Sequence, residues 1–304
     1  MDNSRILVVG ATGRLGQHLV KASIASGHPT FALLRESSLS IPVKSALVQT
    51  FVSAGVKVFY KKMVSLIHYL VVQRFIPAEF GVDPEKVHFP DPAGNFYIRK
   101  AHNRHVIKKE GIPHTFVSCN YFAGFLLPQL AQPDLKAPPR DNIMIFGDGN
   151  RKAVFVKEED VATFTIKAVD DPRTLNKVMY MRPPGNMYSL NELVELWEKK
   201  VGKSLEKFYI PEEQVLQSIQ ENPFPNNLFM LFVCSTFVRG DHTNFEIIPS
   251  DVESTQLYPD VKYTTIDEYL DGLLYLFFMY PHDLCFMFCS SICKNPIQGK
   301  EDLR

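Results

Sequence analysis

Apolar runs alternate with amphipathic stretches along the first 120 residues. Short apolar runs at 6–9, 30–34, 56–60 and 114–118 each predict a strand, and residues 75–76 look like a strand end that enters a loop. The stretches 17–26, 43–54 and 95–109 predict helices that end at Gly27, Gly55 and Gly111. Strands that alternate with helices are typical of a parallel sheet covered on both faces. The pattern predicts an α/β fold with a doubly wound parallel sheet of the Rossmann type.

The pattern changes beyond residue 122. Prolines at 128, 133, 138 and 139 indicate an irregular segment. The runs 143–146 and 152–156 flank Gly147-Asp148-Gly149 and predict a hairpin, and residues 158–169 and 190–201 predict helices. We expect residues 123–272 to form mainly a smaller second lobe that returns in part to the sheet.

Three glycines lie between the first strand and the first helix, in the spacing G-x-x-G-x-x-G. The segment is Gly10, Ala11, Thr12, Gly13, Arg14, Leu15 and Gly16. Such a turn predicts a nucleotide pyrophosphate bound at the N-terminus of a helix, and this spacing is typical of short-chain reductases. The alternative is a glycine-rich turn that binds no ligand.

The end of the second predicted strand indicates which dinucleotide binds. Arg35 occupies the position where an acidic residue would accept from the ribose 2′-hydroxyl of NAD, and arginine suits the 2′-phosphate of NADP. Lys44 adds a second positive charge nearby, whereas strand alternation turns Glu36 away from Arg35. NADPH is therefore the expected cofactor, although Arg35 in isolation also fits a solvated charge.

Composition excludes several classes of partner. The chain has 304 residues, with 33 basic and 33 acidic side chains, so no nucleic-acid partner is expected. Five cysteines are too few and too unevenly placed for a disulfide scaffold. The N-terminus leads directly into the first strand, and the apolar run 273–280 is too short to span a membrane. We expect a cytoplasmic protein without a membrane segment.

The basic helix predicted at 95–109 carries the candidate for acid–base chemistry. Ordinary short-chain reductases place a tyrosine four residues before a lysine, but here the residue four positions before Lys100 is Phe96. Lys100 is then the titratable group, and nearby positive charges such as Arg99, Arg104 and a nicotinamide would lower its pKa. The alternative is a lysine on a solvated helix face.

Several motifs resemble the plant isoflavone-reductase-like family, a branch of the NmrA-like atypical short-chain reductases. They are Gly10-Ala-Thr-Gly-Arg-Leu-Gly16, Phe75-Ile-Pro-Ala-Glu-Phe-Gly81, Glu110-Gly-Ile-Pro-His-Thr115, Asn120-Tyr-Phe-Ala-Gly124, Leu126-Leu-Pro-Gln-Leu130, Gly147-Asp-Gly149, Asp171-Pro-Arg-Thr-Leu-Asn176, Trp197-Glu-Lys-Lys200 and Gly240-Asp-His-Thr-Asn-Phe245. The similarity runs through residues 4–57 and 74–270, and the nearest branch is the phenylcoumaran benzylic ether reductases.

The resemblance implies roles for particular residues. By it Lys100 is the catalytic lysine, Arg104 helps to hold the cofactor phosphate, and Arg35 and Lys44 bind the 2′-phosphate. Asn120 and Phe122 would lie near the nicotinamide, while Tyr121 and His242 would contact a small aromatic substrate. On the residues alone, His242 also fits a turn or capping histidine, and the aromatics around Tyr121 also fit a core.

The resemblance also implies a reaction. Lys100 would take a proton from a para-phenol of the substrate, the benzylic ether oxygen would leave, and a hydride from NADPH would reach the benzylic carbon of the resulting quinone methide. Isoflavone, pinoresinol and eugenol-type reductases of the same family remain alternatives. Another alternative is a non-catalytic NADP-binding or inactive variant.

The chain departs from the family pattern in two places. Residues 61–74 replace about one βαβ unit, so the sheet is expected to be shortened between 60 and 75, with 63–72 as one helix or as the missing strand. The tail 273–304 is atypical, and its Cys285, Cys289 and Cys293 fit no standard zinc spacing, so no metal is predicted. An alternative transcript or a faulty gene model would explain both departures. We expect one NmrA-like domain over 1–304, with 4–122 as mainly the NADP-binding core, and a homodimer is among the assemblies left open.

Overall fold

The fold is α/β, as predicted. The computed structural model describes residues 3–60, 72–87, 96–133, 135, 137–223 and 226–279. Its strands are β1 (Ile6–Val9), β2 (Thr30–Leu34), β3 (Lys57–Tyr60), β4 (Thr115–Ser118), β5 (Tyr121–Phe122), β6 (Asn142–Phe146), β7 (Lys152–Val156), β8 (Lys177–Tyr180), β9 (Met187–Ser189), β10 (Glu206–Ile210) and β11 (Val252–Glu253). Its helices are α1 (Gly16–Ala25), α2 (Pro42–Ser53), α3 (Phe96–Lys109), α4 (Ala123–Leu126), α5 (Glu158–Ala168), α6 (Leu190–Val201), α7 (Glu212–Glu221), α8 (Leu228–Val233), α9 (Ser254–Leu257) and α10 (Ile266–Met279).

The parallel sheet consists of two pieces. In the first, β2 lies between β1 and β3, and in the second, β8 lies between β4 and β11; all of these pairs are parallel. A parallel bridge between Phe75 and His114 extends the second piece beside β4. Among the described residues no strand pairing joins β1 to the second piece. Residues 63–71, the candidates for the missing strand or helix, lie outside the described part.

The first sheet piece is buried on one face and exposed on the other. Ile6 and Val8 of β1 belong to a core cluster with residues of α1 and α2 such as Val20 and Phe51. Their neighbours Leu7 and Val9 are 36% and 49% exposed. Since successive side chains of a strand point to opposite faces, the described residues leave the Leu7 and Val9 face of β1 partly exposed.

This asymmetry predicts different costs for the same substitution at adjacent positions. Val8→Thr places a hydroxyl in the buried face and is expected to lower the free energy of unfolding by about 1–3 kcal/mol. Val9→Thr changes an exposed side chain and is expected to alter it by less than about 0.5 kcal/mol. Urea unfolding of the two variants without ligand measures the difference. Equal costs would mean that Val9 is also packed in solution.

The second half of the chain builds a separate core. Its largest cluster draws on α6, α7, α8 and α10 and includes the fully buried Trp197, whose Nε1 donates to the carbonyl of Pro139 at 3.2 Å. Helix α6 begins with a capping box between Ser189 and Glu192 and ends at Gly202, in agreement with its predicted bounds. The division of the chain at residue 122 remains a prediction.

The predicted hairpin of 143–146 and 152–156 is wrong. Both segments are strands, but β6 pairs in parallel with β10, while β7 pairs with β5 in parallel and with β9 antiparallel. Each strand thus has partners that are distant in sequence, and the Gly147-Asp148-Gly149 turn joins two different sheets.

Membrane and metal sites were also expected to be absent. Within the described ranges, no helix is both long and apolar enough to cross a membrane. In the same part of the chain, no three histidine, cysteine or acidic side chains are grouped to hold a metal ion. The tail cysteines Cys285, Cys289 and Cys293 lie outside the described residues.

Candidate nucleotide pocket and active site

The glycine-rich turn joins β1 to α1 through very close backbone contacts. Gly10 has a φ of +76°, which glycine adopts without strain, and its carbonyl accepts from the N–H of Gly13 at 2.8 Å. A Cβ atom on Gly16 would lie only 2.3 Å from the carbonyl oxygen of Gly10. Helix α1 can therefore start against the end of β1 only because position 16 has no side chain.

Gly16→Ala is expected to lower the free energy of unfolding by about 1–3 kcal/mol, because the added methyl group must push backbone atoms apart. It should also weaken NADPH binding, since the turn must shift. The matched control is Gly272→Ala in α10, where a Cβ meets nothing within 4 Å and the change should stabilise by about 0.5–1 kcal/mol. Thermal unfolding compares the two. A stable Gly16→Ala protein with normal NADPH affinity would contradict the close packing.

A pocket of about 400 Å³ opens beside this turn. It is lined by Val9, Gly10, Thr12, Gly13, Leu33, Leu34, Arg35, Ser37, Ser38, Ile41 and Lys44. The structure thus brings the glycine turn together with Arg35 and Lys44, the two cations selected from the sequence. None of the lining residues that the structure describes is acidic. A pocket lined by two cations and three hydroxyl side chains fits a phosphate-bearing adenosine.

Three further lining residues were not predicted from the sequence, namely Ser37, Ser38 and Ile41. The two serines lie in a short 3₁₀ turn, Glu36–Ser38, between β2 and α2, and Ile41 immediately precedes α2. The signal was present in the sequence, because two serines follow Arg35 and Glu36 just after a strand end, where parallel sheets bind ligands.

The remaining residues of the glycine-rich turn pack against, or hydrogen-bond to, the rest of the protein. Ala11 is fully buried, and Leu15 packs on a cluster that includes Phe80, Cys119 and Phe122. Arg14 donates from Nη1 to Glu158 Oε1 at 3.4 Å and to the carbonyl of Gly124 at 3.3 Å. These contacts join the nucleotide turn to the ends of β4 and β5, where the other candidate residues lie.

Lys100 lies on α3 with its Nζ at the segment 79–81. Nζ donates to the carbonyl oxygen of Glu79 at 3.1 Å and to that of Phe80 at 3.4 Å. Burial lowers the pKa of Lys100 from its ordinary value, and the nearby Arg104 charge acts in the same direction, whereas Cys119 and Glu79 oppose the decrease. A half-buried lysine with a lowered pKa is suited to accept a proton near neutral pH.

Arg104 lies on the same helix as Lys100. Its guanidinium is fully buried and donates to the carboxylates of Glu79 and Asp83, each with a shortest distance of 2.6 Å. It also stacks on the ring of Phe116, 4.7 Å from the centroid. Arg104 does not line the nucleotide pocket, because its donors are bound to carboxylates within the protein. The structure thus places Arg104 in a buried ion cluster outside the pocket lining, and its contact with the cofactor phosphate stays a prediction.

Asn120 and Phe122 follow the carboxyl end of β4, the edge at which parallel sheets bind ligands. Asn120 has a φ of +58°, a left-handed conformation that asparagine tolerates, and its Nδ2 donates to the carbonyl of Met181 at 3.0 Å. Phe122 is partly buried and packs against the same cluster as Leu15 of the glycine turn. The contact of Asn120 and Phe122 with a nicotinamide remains a proposal.

Tyr121 and His242 are both buried, and each has hydrogen-bond partners inside the protein. His242 is fully buried, its Nδ1 accepts from the N–H of Val154 at 3.1 Å, and its Nε2 lies 3.1 Å from the hydroxyl of Thr236. That hydroxyl donates to Tyr121 Oη, which donates to the carbonyl of Phe232 at 2.5 Å. Burial lowers the pKa of His242 to about 3, with a contribution from Arg182, so the ring is neutral and paired. For Tyr121 this burial agrees with the alternative of a packed core, whereas for His242 the alternative was a turn or capping histidine; contact of either residue with a substrate stays a prediction.

The family assignment agrees with this site. The NmrA-like family model matches residues 2–64 and 60–270. This chain belongs to that family. A phenylcoumaran benzylic ether reductase of Ginkgo biloba is 50% identical over 303 residues, which cover 89% of this chain and 99% of the relative. Eugenol synthase 2 of Clarkia breweri is 49% identical, with coverage of 89% and 98%.

Solved structures give the same result. The crystal structure of an isoflavone reductase superposes with a TM-score of 0.83 at 39% identity and covers 90% of this chain and 99% of its own. A leucoanthocyanidin reductase of Vitis vinifera in a binary complex with NADPH superposes with a TM-score of 0.81 at 31% identity, covering 89% and 99%. The prediction of a Rossmann-type fold is thus confirmed.

The comparisons also locate a missing stretch. The family match is split into two segments that meet at residues 60–64. The Ginkgo alignment spans 303 positions, whereas 89% of this chain is only about 271 residues, so about 30 positions of the relative have no counterpart here. The break in the family match falls directly after β3, before the second sheet piece begins in the sequence.

Proposed function

We propose that this chain is an NADPH-dependent oxidoreductase of phenylpropanoid-derived aromatic compounds, and that it reduces the benzylic ether of phenylcoumaran lignans. Relatives near 50% identity carry the names phenylcoumaran benzylic ether reductase and isoflavone reductase-like protein. The observation that carries the proposal is the conjunction of a cationic nucleotide pocket with a half-buried lysine whose pKa is lowered.

The pocket residues fit NADPH. The backbone of Gly10 and Gly13 can approach a pyrophosphate, because neither position carries a side chain. Arg35 and Lys44 supply two positive charges for the 2′-phosphate, and Ser37 and Ser38 supply hydroxyl donors beside them. NADPH, when bound, supplies the hydride for the reduction.

Lys100 performs the proton transfer in this proposal. Its neutral amine takes the proton of the substrate's para-phenol, the electrons of the ring then break the benzylic carbon–oxygen bond, and the departing aryl oxygen takes up a proton from solvent. Once the benzylic carbon is reduced, the phenolate recovers its proton from Lys100. The two carbonyl acceptors of Glu79 and Phe80 hold Nζ throughout.

A substrate panel tests the reaction. Purified protein is mixed with NADPH and, in turn, a phenylcoumaran lignan, pinoresinol and an isoflavone, and the loss of NADPH absorbance is followed with product analysis. We expect ring-opened product from the phenylcoumaran. The relative named eugenol synthase supports a second candidate, a eugenol-type reductase. NADPH binding without oxidation in every case would instead favour a non-catalytic NADP-binding protein.

A further inference from the structure

A buried ion cluster lies beside Lys100 and is not used by the proposed reaction. Its centre is Arg104, whose Nε and Nη2 donate to the Glu79 carboxylate at 2.6 to 3.0 Å. Its Nη1 donates to Asp83 Oδ1 at 2.6 Å and, more weakly, to Glu85 at 3.4 Å. Tyr180 donates its hydroxyl to the second oxygen of Asp83. Burial by itself lowers the pKa of Arg104, but the hydrogen bonds that Arg104 donates to Glu79 and the negative charge of Asp83 raise this pKa on balance.

Glu79 contacts both Arg104 and Lys100 but with different groups. Its carboxylate binds Arg104, and its backbone carbonyl accepts from Lys100 Nζ at 3.1 Å. Lys100 and Arg104 are four residues apart on α3 and therefore lie on the same face of the helix. The side chain of Glu79 thus holds the segment 79–80 in place, and the carbonyl oxygens of this segment accept hydrogen bonds from Lys100 Nζ.

We propose that Glu79 is a positioning residue for Lys100, because the hydrogen bonds that its carboxylate accepts from Arg104 hold the carbonyl oxygens of residues 79 and 80 against α3. The inference rests on the proposed function, in which Lys100 moves the proton. A loosened segment would let Nζ leave the substrate's phenol, and a displacement of about 1 Å can cost on the order of 100-fold in rate.

The charges around Lys100 give this role a signature that stability alone would lack. Among the described residues, the charged or titratable groups that shift the pKa of Lys100 are Cys119 after β4, Glu79 on the adjacent segment and Arg104 on the same helix. Asp83 is not among them, although it is as buried and as closely bound to Arg104 as Glu79 is. Removal of the Glu79 charge therefore lowers the pKa of Lys100, whereas removal of the Asp83 charge should leave it unchanged.

The experiment compares Glu79→Gln with Asp83→Asn. The pKa of Lys100 is measured by its reaction with a trace amine-acylating reagent across pH, read by mass spectrometry of the peptide that carries it. In Glu79→Gln we expect it to fall by on the order of one pH unit, and kcat at the optimum to fall about 10- to 100-fold with KM for NADPH unchanged. In Asp83→Asn we expect a lower free energy of unfolding but neither of these changes. Should Asp83→Asn not fold, Glu85→Gln replaces it, because Glu85 lies at the exposed end of the cluster.

The acylation measurement needs no turnover, so failure of the two proposals can be told apart. Suppose that the pKa of Lys100 changes in Glu79→Gln but not in Asp83→Asn, and that the wild type reduces no substrate of the panel. This result supports the positioning role of Glu79 and rejects the proposed reductase reaction. If the wild type is active and Glu79→Gln keeps both its kcat and the pKa of Lys100, the positioning role is overturned and the cluster only stabilises the fold.

Discussion

Lys100→Ala is expected to lower kcat by at least about 100-fold, while the affinity for NADPH stays within about twofold of the wild type. The loss arises because no other amine is held by the carbonyl oxygens of Glu79 and Phe80 among the residues that the structure describes. NADPH binding should persist because Lys100 does not line the nucleotide pocket. Steady-state oxidation of NADPH and a separate binding titration measure the two effects.

Lys108→Ala is the matched control for this substitution. Lys108 lies on the same helix, but its Nζ binds Glu85 at the surface, 3.2 Å away. Its removal should leave kcat unchanged to within about twofold, as for most surface substitutions. Equal activity of Lys100→Ala and the wild type would remove Lys100 from the mechanism.

The same residue predicts the direction of the pH dependence. The proposed step needs the neutral amine, so kcat should rise with pH through the pKa of Lys100, which burial places below the ordinary value of 10.5. In the wild type this rise should be complete at a lower pH than for a solvated lysine. A pH profile of kcat that is flat where Lys100 titrates would contradict general-base catalysis by this group.

Arg35→Ala is expected to weaken NADPH binding by about 10- to 100-fold and to leave NADH binding nearly unchanged. NADH lacks the 2′-phosphate, so only NADPH loses a charge-assisted contact when the guanidinium is removed. Lys44 lines the same pocket and should limit the loss, so the double variant with Lys44→Ala should bind the two dinucleotides almost equally. Parallel titrations with NADPH and NADH give the ratio for each variant.

Lys21→Ala controls for a general loss of positive charge. Lys21 is exposed on α1 and does not line the pocket. The change should leave the preference for NADPH intact. A similar loss in both variants would indicate long-range attraction rather than a 2′-phosphate site, and titration at higher salt would then reduce NADPH affinity for every protein alike.

The nucleotide-binding half was largely predictable because its signals are local. A strand followed by glycines at fixed spacing predicted β1 and α1, and the apolar run at 30–34 predicted β2 with its observed bounds. Arg35, the cation directly after β2, indicated NADP rather than NAD, because residues that follow a parallel strand lie at the edge of the sheet where ligands bind. The bounds of α6 were also predictable from local signals, because its capping residues Ser189 and Gly202 directly flank the helix in the sequence.

Some contacts could not be predicted because their partners are remote in sequence. The carboxylates that bind Arg104 belong to Glu79 and Asp83, which lie 25 and 21 positions earlier in the chain. His242 pairs with the backbone of Val154, 88 positions away, and no local pattern reveals such a pairing. The hairpin prediction failed similarly, because β6 and β7 pair with strands that the local sequence does not indicate.

Equilibrium titration of the wild-type chain with NADPH, followed by nicotinamide fluorescence on monodisperse protein, decides whether the pocket beside β1 binds this cofactor. We expect saturation at one NADPH per chain and an affinity for NADH weaker by at least about 10-fold, as a 2′-phosphate contact requires. We expect this although no strand pairing among the described residues joins β1 to the second sheet piece. A signal that does not saturate, or equal affinities for the two dinucleotides, would contradict it.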